Sequence, residues 1–294
     1  MQKLFIIVTI VVFGVACNKK TVDATGFTVT ADKETYATTD TVKFSFTGNP
    51  GFLTFYSGEP YHKYEYSERV TATGVPQLQF TTQMTTGSQA NTLKLMVSTN
   101  FSGVYDSTNI YQATWTDITN KVILATNNTA TASGVIDLTP FITGDQPVYL
   151  AFKFTGAAGS AQRTWTIKSI ALSNVLADNT TYALLAMTES TAGFKSVPMK
   201  APAVAWAIST SQLQIKGGTT TASPEAEGWV VSKPLNLSKV TPDLGVPLKN
   251  MTTALPAYTY MYATPGSYKA SFVAANITRY DEKSDVQEVA VTVQ

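Results

Sequence analysis

The residues that could carry chemistry in this chain are few and scattered. One histidine, His62, and one cysteine, Cys17, are present in 294 residues, which excludes zinc sites of the usual ligand spacing, redox dithiols and disulfide frameworks. His62 stands in Pro60-Tyr61-His62-Lys63-Tyr64-Glu65-Tyr66, among aromatics and with no Gly-x-Ser-x-Gly elbow to serve, and is read as a surface or inter-domain side chain. No His-Glu-x-x-His pair and no glycine-rich phosphate loop occur. Glycoside hydrolysis asks only for two carboxylates about 5–10 Å apart, and Glu59, Glu65, Glu68, Asp106 and Asp117 are the acids it would draw on. A sequence carries no such separation, so the chain is read as non-catalytic, with a hydrolase as the most distant alternative.

Aromatic and neutral hydrogen-bonding side chains make the better case, for binding. Sugars present flat C–H faces that stack on exposed rings, while Thr, Asn, Gln and Tyr take the hydroxyls. Tyr105 and Tyr111 flank Asp106-Ser107-Thr108-Asn109 in a loop-like segment between two strands, where exposed functional side chains concentrate. Trp206 and Trp229 lie in an irregular stretch from Leu176 to Ser238 whose periodicity gives no burial assignment. These four are the candidate ligand-binding residues. Trp115 and Trp165 fall within alternating runs and are assigned to the core.

These residues must be positioned by β-structure. The composition, 44% hydrophobic and 14% charged with 21 basic against 20 acidic residues, excludes disorder as the main state and removes the electrostatic case for nucleic acid. Short alternating runs recur between Gly, Asn, Pro and Ser clusters, among them Thr41–Phe46, Leu93–Val97, Val148–Phe154 and Val289–Val293, as expected of half-buried strands. Only Tyr182–Met187 (YALLAM) suggests helical spacing, for a turn or two. The fold class is all-β.

The first 17 residues read as an export signal. Lys3 supplies a positive charge, and Leu4–Val15 is an apolar stretch too short to span a bilayer, which needs about 20 residues. Gly14-Val15-Ala16-Cys17 resembles the bacterial lipobox, which implies acylation of Cys17 and attachment to a membrane through lipid. Residues 18–23 would then be a polar tether.

Residues 24–68 and 256–294 each hold about three strands, too few for either piece to close a sandwich alone. The run Tyr258-Thr-Tyr260-Met-Tyr262-Ala-Thr-Pro265-Gly266-Ser-Tyr268 through Phe272 to Asn276 resembles the second half of a PKD domain, which implies a hairpin with Pro-Gly at its turn. Phe27 to Glu59, with Phe55-Tyr56-Ser57-Gly58-Glu59 in place of the usual W-x-F-G-D-G, resembles the first half. The expectation is a discontinuous immunoglobulin/PKD-like sandwich built from both termini, with residues 69–255 inserted in one of its loops.

Within the insert, Leu93–Gly103, Ala113–Thr119, Gly134–Leu138, Val148–Phe154 and Trp165–Ile167 follow in an order similar to the adhesin-like and carbohydrate-binding-module-like jelly rolls of bacterial surface proteins. With the lipobox, the chain resembles the Bacteroidota lipoproteins of the DUF5017 type, associated with polysaccharide-utilisation loci. That resemblance implies an outer-membrane, cell-surface lipoprotein that binds a polysaccharide or oligosaccharide for a glycan transporter complex. A structural or adhesive surface protein is the alternative. The resemblance also admits a structural calcium ion, for which Asp106, Asp117 or Asp178 could supply oxygens, although no dense Asp/Asn loop is present. Asp40-Thr41-Val42 and Asp106-Ser107-Thr108 resemble the short O-glycosylation signal of the same bacteria. Asn18-Lys19-Lys20 lack the acidic run of the surface-export signal, which leaves a periplasmic face open.

Overall fold

The computed structural model describes residues 21–144, 146–188, 193–202 and 204–294. Cys17 and the expected export signal lie outside them. The chain is mostly β, in antiparallel sheets with very little helix. Among the described residues no helix is long and apolar enough to cross a membrane.

Two compact units emerge, one from the residues up to Ser67 together with Asp243–Gln294, the other from Glu68–Pro242. The first unit begins with β1 (Thr28–Ala31), β2 (Thr35–Tyr36), β3 (Val42–Thr47) and β4 (Phe52–Tyr56). The second unit then runs through β5 (Val75–Thr85), β6 (Leu93–Ser98), α1 (Ser107–Gln112), β7 (Thr116–Asp117), β8 (Thr131–Ala132), β9 (Ile136–Asp137) and β10 (Tyr149–Gly156). It continues with β11 (Thr164–Val175), β12 (Thr181–Ala186), β13 (Phe194–Lys200), β14 (Trp206–Ile208), β15 (Leu213–Lys216) and β16 (Ala226–Ser232). The chain returns to the first unit as β17 (Val246–Lys249), β18 (Ala257–Tyr260), β19 (Gly266–Ile277) and β20 (Glu282–Val293). The return thus begins before residue 256, because β17 pairs with β4. Pro247 is tolerated there because β17 is a sheet edge and needs no further donor.

In the first unit, sheets ordered β1-β3-β18 and β17-β4-β19-β20-β2 enclose one core. Strict alternation in β3 turns Val42 and Phe44 inward, where they meet Leu53 and Phe55 of β4 and Ala270, Phe272 and Ala274 of β19. One expectation is corrected here. Tyr258–Tyr260 and Tyr268–Phe272 do not form a hairpin, since β18 pairs with β3 whereas β19 pairs with β4 and β20. The Pro265-Gly266 connection therefore passes from one sheet to the other. It carries Tyr262, which is buried, stacks on Tyr268 at 4.4 Å and donates its hydroxyl proton to Ser57 O. Gly58 follows at φ +84, where a Cβ would lie 2.7 Å from Lys269 O, so only glycine fits.

In the second unit, the sheet β14-β15-β11-β5-β8 (with β12 on β11 and β9 on β5) and the sheet β13-β16-β10-β6-β7 share a larger core. Leu78 and Phe80 of β5, with Trp165, Ile167, Ile170 and Leu172 of β11, pack with Leu93, Leu95 and Val97 of β6 and Leu150, Phe152 and Phe154 of β10. A bulge between Lys168 and Ala171, with Ser169 at φ +53, resets the phase of β11 so that 165, 167, 170 and 172 all face the core. Tyr182–Met187 is the second correction: Tyr182–Ala186 is strand, with Met187 in the turn that follows, and none of it is helix. A bulge opposite Leu172/Ser173 leaves Leu184 unpaired, so Tyr182, Leu184, Leu185 and Met187 are all buried. One inserted residue turns a two-residue period into the i, i+2, i+3, i+5 spacing that imitates a helix.

The outer face of the five-stranded sheet carries a satellite cluster. The excursion from β6 to β7 folds α1 over it, so Phe101, Ile110 and half-buried Tyr105 and Trp115 cover Tyr149, Ala151, Trp229 and Val231. This explains why every residue of β16 is buried.

Candidate functional site

A cleft of about 630 Å³ lies wholly within the second unit, at the end of β6. That is the usual size for a small-ligand site, roughly 300–1,000 Å³. Its floor is the rim of the core: Leu93, Ala125 and Trp165 are buried, and Met84 and Leu124 pack beside them. Polar groups reach it from several segments, namely Gln89, Asn91 and Thr92 before β6, Lys94 on β6, Asp117 on β7, Thr119 and Thr126 beyond, and Arg163 ahead of β11. A second cleft of about 490 Å³ shares Gln89, Ala90 and Thr92 and adds Thr155 to Ala158 and Glu225.

Gln89, Thr92, Lys94, Asp117, Thr119 and Arg163 are held in place. Lys94 Nζ donates to Asp117 Oδ2 at 2.8 Å. Asp117 Oδ1 accepts from the Thr119 N–H and hydroxyl at 3.0 and 2.6 Å, while Thr119 Oγ1 accepts from Leu95 N at 3.0 Å. Trp165 Nε1 donates to Thr92 Oγ1 at 2.8 Å. The wall between the clefts is interlocked: Gln89 exchanges two hydrogen bonds with the Ala157 backbone, and the Arg163 guanidinium donates back to Thr86, Gly87 and Gln89 carbonyls. Directly opposed in register, Lys94 and Lys153 would repel; Asp117 neutralises the first and Glu227, 3.3 Å away, the second.

The residues singled out from the sequence lie elsewhere. Trp206 and Trp229 are 4% and 3% exposed, with their indole N–H groups donated to Gly228 O and Glu227 Oε1. Neither has a free face for a ligand, and both are corrected to packing residues. Tyr105 is half-buried, donates to Ser232 O and carries Lys195 Nζ 4.4 Å above its ring. Tyr111, on α1, is 59% exposed and keeps an open ring, but it does not line the cleft. Asp106 caps α1 by accepting from Asn109 N at 2.8 Å, which gives the Asp-Ser-Thr-Asn run a structural reason.

Glu59, Glu65 and Asp117 each have a partner of their own. Glu59 accepts from Tyr260, Glu65 lies 3.8 Å from Lys269, and Asp117 is held by Lys94. Asp178 accepts from Thr180 N in a turn. Among the described residues no group of three or more His, Cys, Asp or Glu side chains could hold a metal ion. His62 places Nδ1 2.6 Å from Leu244 O, within the first unit.

A family model described as Domain of unknown function (DUF5017) matches residues 16–194, more than half of the chain. The chain belongs to the DUF5017 family. Every residue lining the larger cleft falls inside the matched segment. Neither a curated protein nor a solved structure gives a significant match.

In this DUF5017 chain the cleft's Asp117 carboxyl is held well below the usual carboxylate range. Burial pushes the Asp117 carboxyl up, but the hydrogen bonds from Lys94 and Thr119 outweigh it and hold the group down at about 2. Because the folded value lies below that of an unfolded aspartate, the stabilisation is complete above about pH 4 and is lost as pH falls through about 2. With the side chain 38% exposed, solvent screening limits it to about 1 kcal/mol or less. The urea midpoint of wild type is expected to exceed that of Asp117→Asn by a constant margin from pH 7 to 5, closing toward pH 2. A margin that is unchanged at pH 2 would refute this assignment.

Proposed function

We propose that this protein is a non-catalytic outer-membrane lipoprotein that holds glycan for an uptake system, anchored through lipid on Cys17. In this reading the first unit is a split PKD-like sandwich and the second an inserted jelly roll that carries the site. The sheet orders of the two units and the family membership support it.

The observation that carries the reading is the cleft. An apolar floor in which half-buried Met84 and Leu124 lie over the buried core, a rim of neutral amides and hydroxyls, and one fixed ion pair are what a pyranose needs: a surface for its C–H face and oriented partners for its hydroxyls. The carboxylate lining it is held ionised by Lys94 and Thr119, which suits it to accept from sugar hydroxyls and not to donate a proton to a leaving group.

The test is affinity electrophoresis of the full-length chain, in mild detergent, through gels containing individual polysaccharides, with reducing-sugar assays alongside. At least one polysaccharide is expected to retard the protein without release of sugar. Asp117→Asn, which keeps the acceptor for the Thr119 N–H, is expected to weaken that retardation about tenfold, the worth of one charged hydrogen bond. Retardation by none, or sugar release, would overturn the proposal.

A further inference from the structure

The cleft holds a cation that no acid balances among the described residues. Arg163 is half-buried and lines the larger cleft. Its Nε donates to Gln89 O at 2.9 Å and its Nη1 to Thr86 O and Gly87 O. Both donors of Nη2 are left without an acceptor among the described residues. Asp117, the carboxylate of this cleft, is taken by Lys94, and Glu225, the carboxylate of the adjoining one, is taken by Lys200 at 2.8 Å. The wall beneath Arg163 cannot easily retreat. Gly87, at φ +59, approaches so closely that a Cβ there would lie 2.5 Å from the Ala161 and Gln162 carbonyls. A guanidinium so pinned is oriented before any ligand arrives, and an anion that takes its free edge forgoes little rotamer entropy.

Resting on the glycan reading above, we propose that the ligand of this cleft is an anionic sugar, a pyranose bearing a carboxylate or a sulfate, with the anion at Arg163 Nη2 and the ring over half-buried Met84 and Leu124. Asn91 and Thr126 stand on the rim as neutral partners for its hydroxyls. Carboxylate and sulfate share the chemistry the site reads, negative oxygen accepting from a fixed guanidinium.

The experiment titrates the full-length chain with two matched pairs: oligogalacturonate against its carboxyl-reduced form, and a sulfated galactan oligosaccharide against its desulfated form. At about 50 mM NaCl at least one acidic member is expected to bind about tenfold more tightly than its neutral partner. That advantage should shrink to about threefold or less at about 500 mM, where charges are screened beyond a few ångströms. The pair that responds identifies the anion. Arg163→Met is expected to abolish the advantage. If that variant does not fold, Arg163→Lys, which keeps charge and loses the planar fork, is expected to reduce it at least threefold. Equal binding of acidic and neutral partners, an advantage indifferent to salt, or one that survives the Arg163 variants would overturn the anionic assignment and leave glycan binding standing. Binding of none of the four, together with retardation by no polysaccharide, would remove both.

Discussion

Replacing Phe272 by alanine is expected to destabilise the first unit by about 3–5 kcal/mol, enough to unfold it in a chain of ordinary stability. Phe272 is fully buried on β19, where it lies opposite Phe55 of β4. Its ring centroid is 5.0 Å from Phe44, 5.2 Å from Phe46, 4.9 Å from Phe55 and 6.5 Å from Phe27. Phe44 and Phe46 come from β3 and Phe55 from β4, on opposite sides of the core, with Phe27 just ahead of β1, so a vacated site cannot collapse cheaply. The core residues of the first unit are distinct from those of the second. Hydrogen exchange should therefore accelerate in β3, β4, β19 and β20 of Phe272→Ala while β5, β10, β11 and β16 stay protected. A cost below about 1 kcal/mol, or equal loss of protection in both units, would contradict this account of separate cores.

How much of this was legible in the sequence depended on how many faces a strand buries. The runs at Thr41–Phe46 and Val289–Val293 fall in β3, to within a residue, and in β20, where one face lies on a core and the pattern alternates. Leu93–Val97 and Val148–Phe154 fall in β6 and, to within a residue, in β10, which bury residues on both faces and were legible as apolar runs. The stretch from Leu176 to Ser238 was opaque because alternation fails there for physical causes. In β16, Ala226 and Val230 join the inter-sheet core while Trp229 and Val231 join the cluster beneath α1, so no polar phase remains to be seen. In β12 the bulge at Leu184 counterfeits a helical period. Pro265-Gly266 reads as a hairpin turn because local sequence cannot say which sheet the next strand joins, which is settled by pairing with β4, more than 200 residues away. The cleft was hardest to anticipate. Asp117 was a candidate acid, but Lys94 is one cation in an apolar strand, Arg163 one in a polar turn, and Trp165 one core tryptophan. No spacing connects them, since β6 and β7 lie in one sheet and β5 and β11 in the other, and the residues meet only through register within each sheet and the packing of the two sheets on one core.

Trp165→Ala is expected to cost the second unit about 3–5 kcal/mol and to remove ligand binding with it. Trp165 lies on β11, only 4% exposed, opposite Met84 of β5 and Ile215 of β15, and it belongs both to the main core and to the cleft floor. Removing the indole would open the cleft into the core, admit water against Leu93, and deprive Thr92 Oγ1 of its donor. Trp165→Phe separates the two roles. A phenyl ring still fills most of the volume, so about 1–2 kcal/mol of stability should be lost, yet Thr92 Oγ1 becomes free to turn into the cleft. Thermal unfolding should rank wild type above Trp165→Phe and Trp165→Phe well above Trp165→Ala. Phe272→Ala, by contrast, should leave binding intact as long as the second unit stays folded. If Trp165→Phe matched Trp165→Ala in stability, the indole N–H and not its bulk would be what holds the cleft to the core, because the two substitutions differ chiefly in the volume they leave filled.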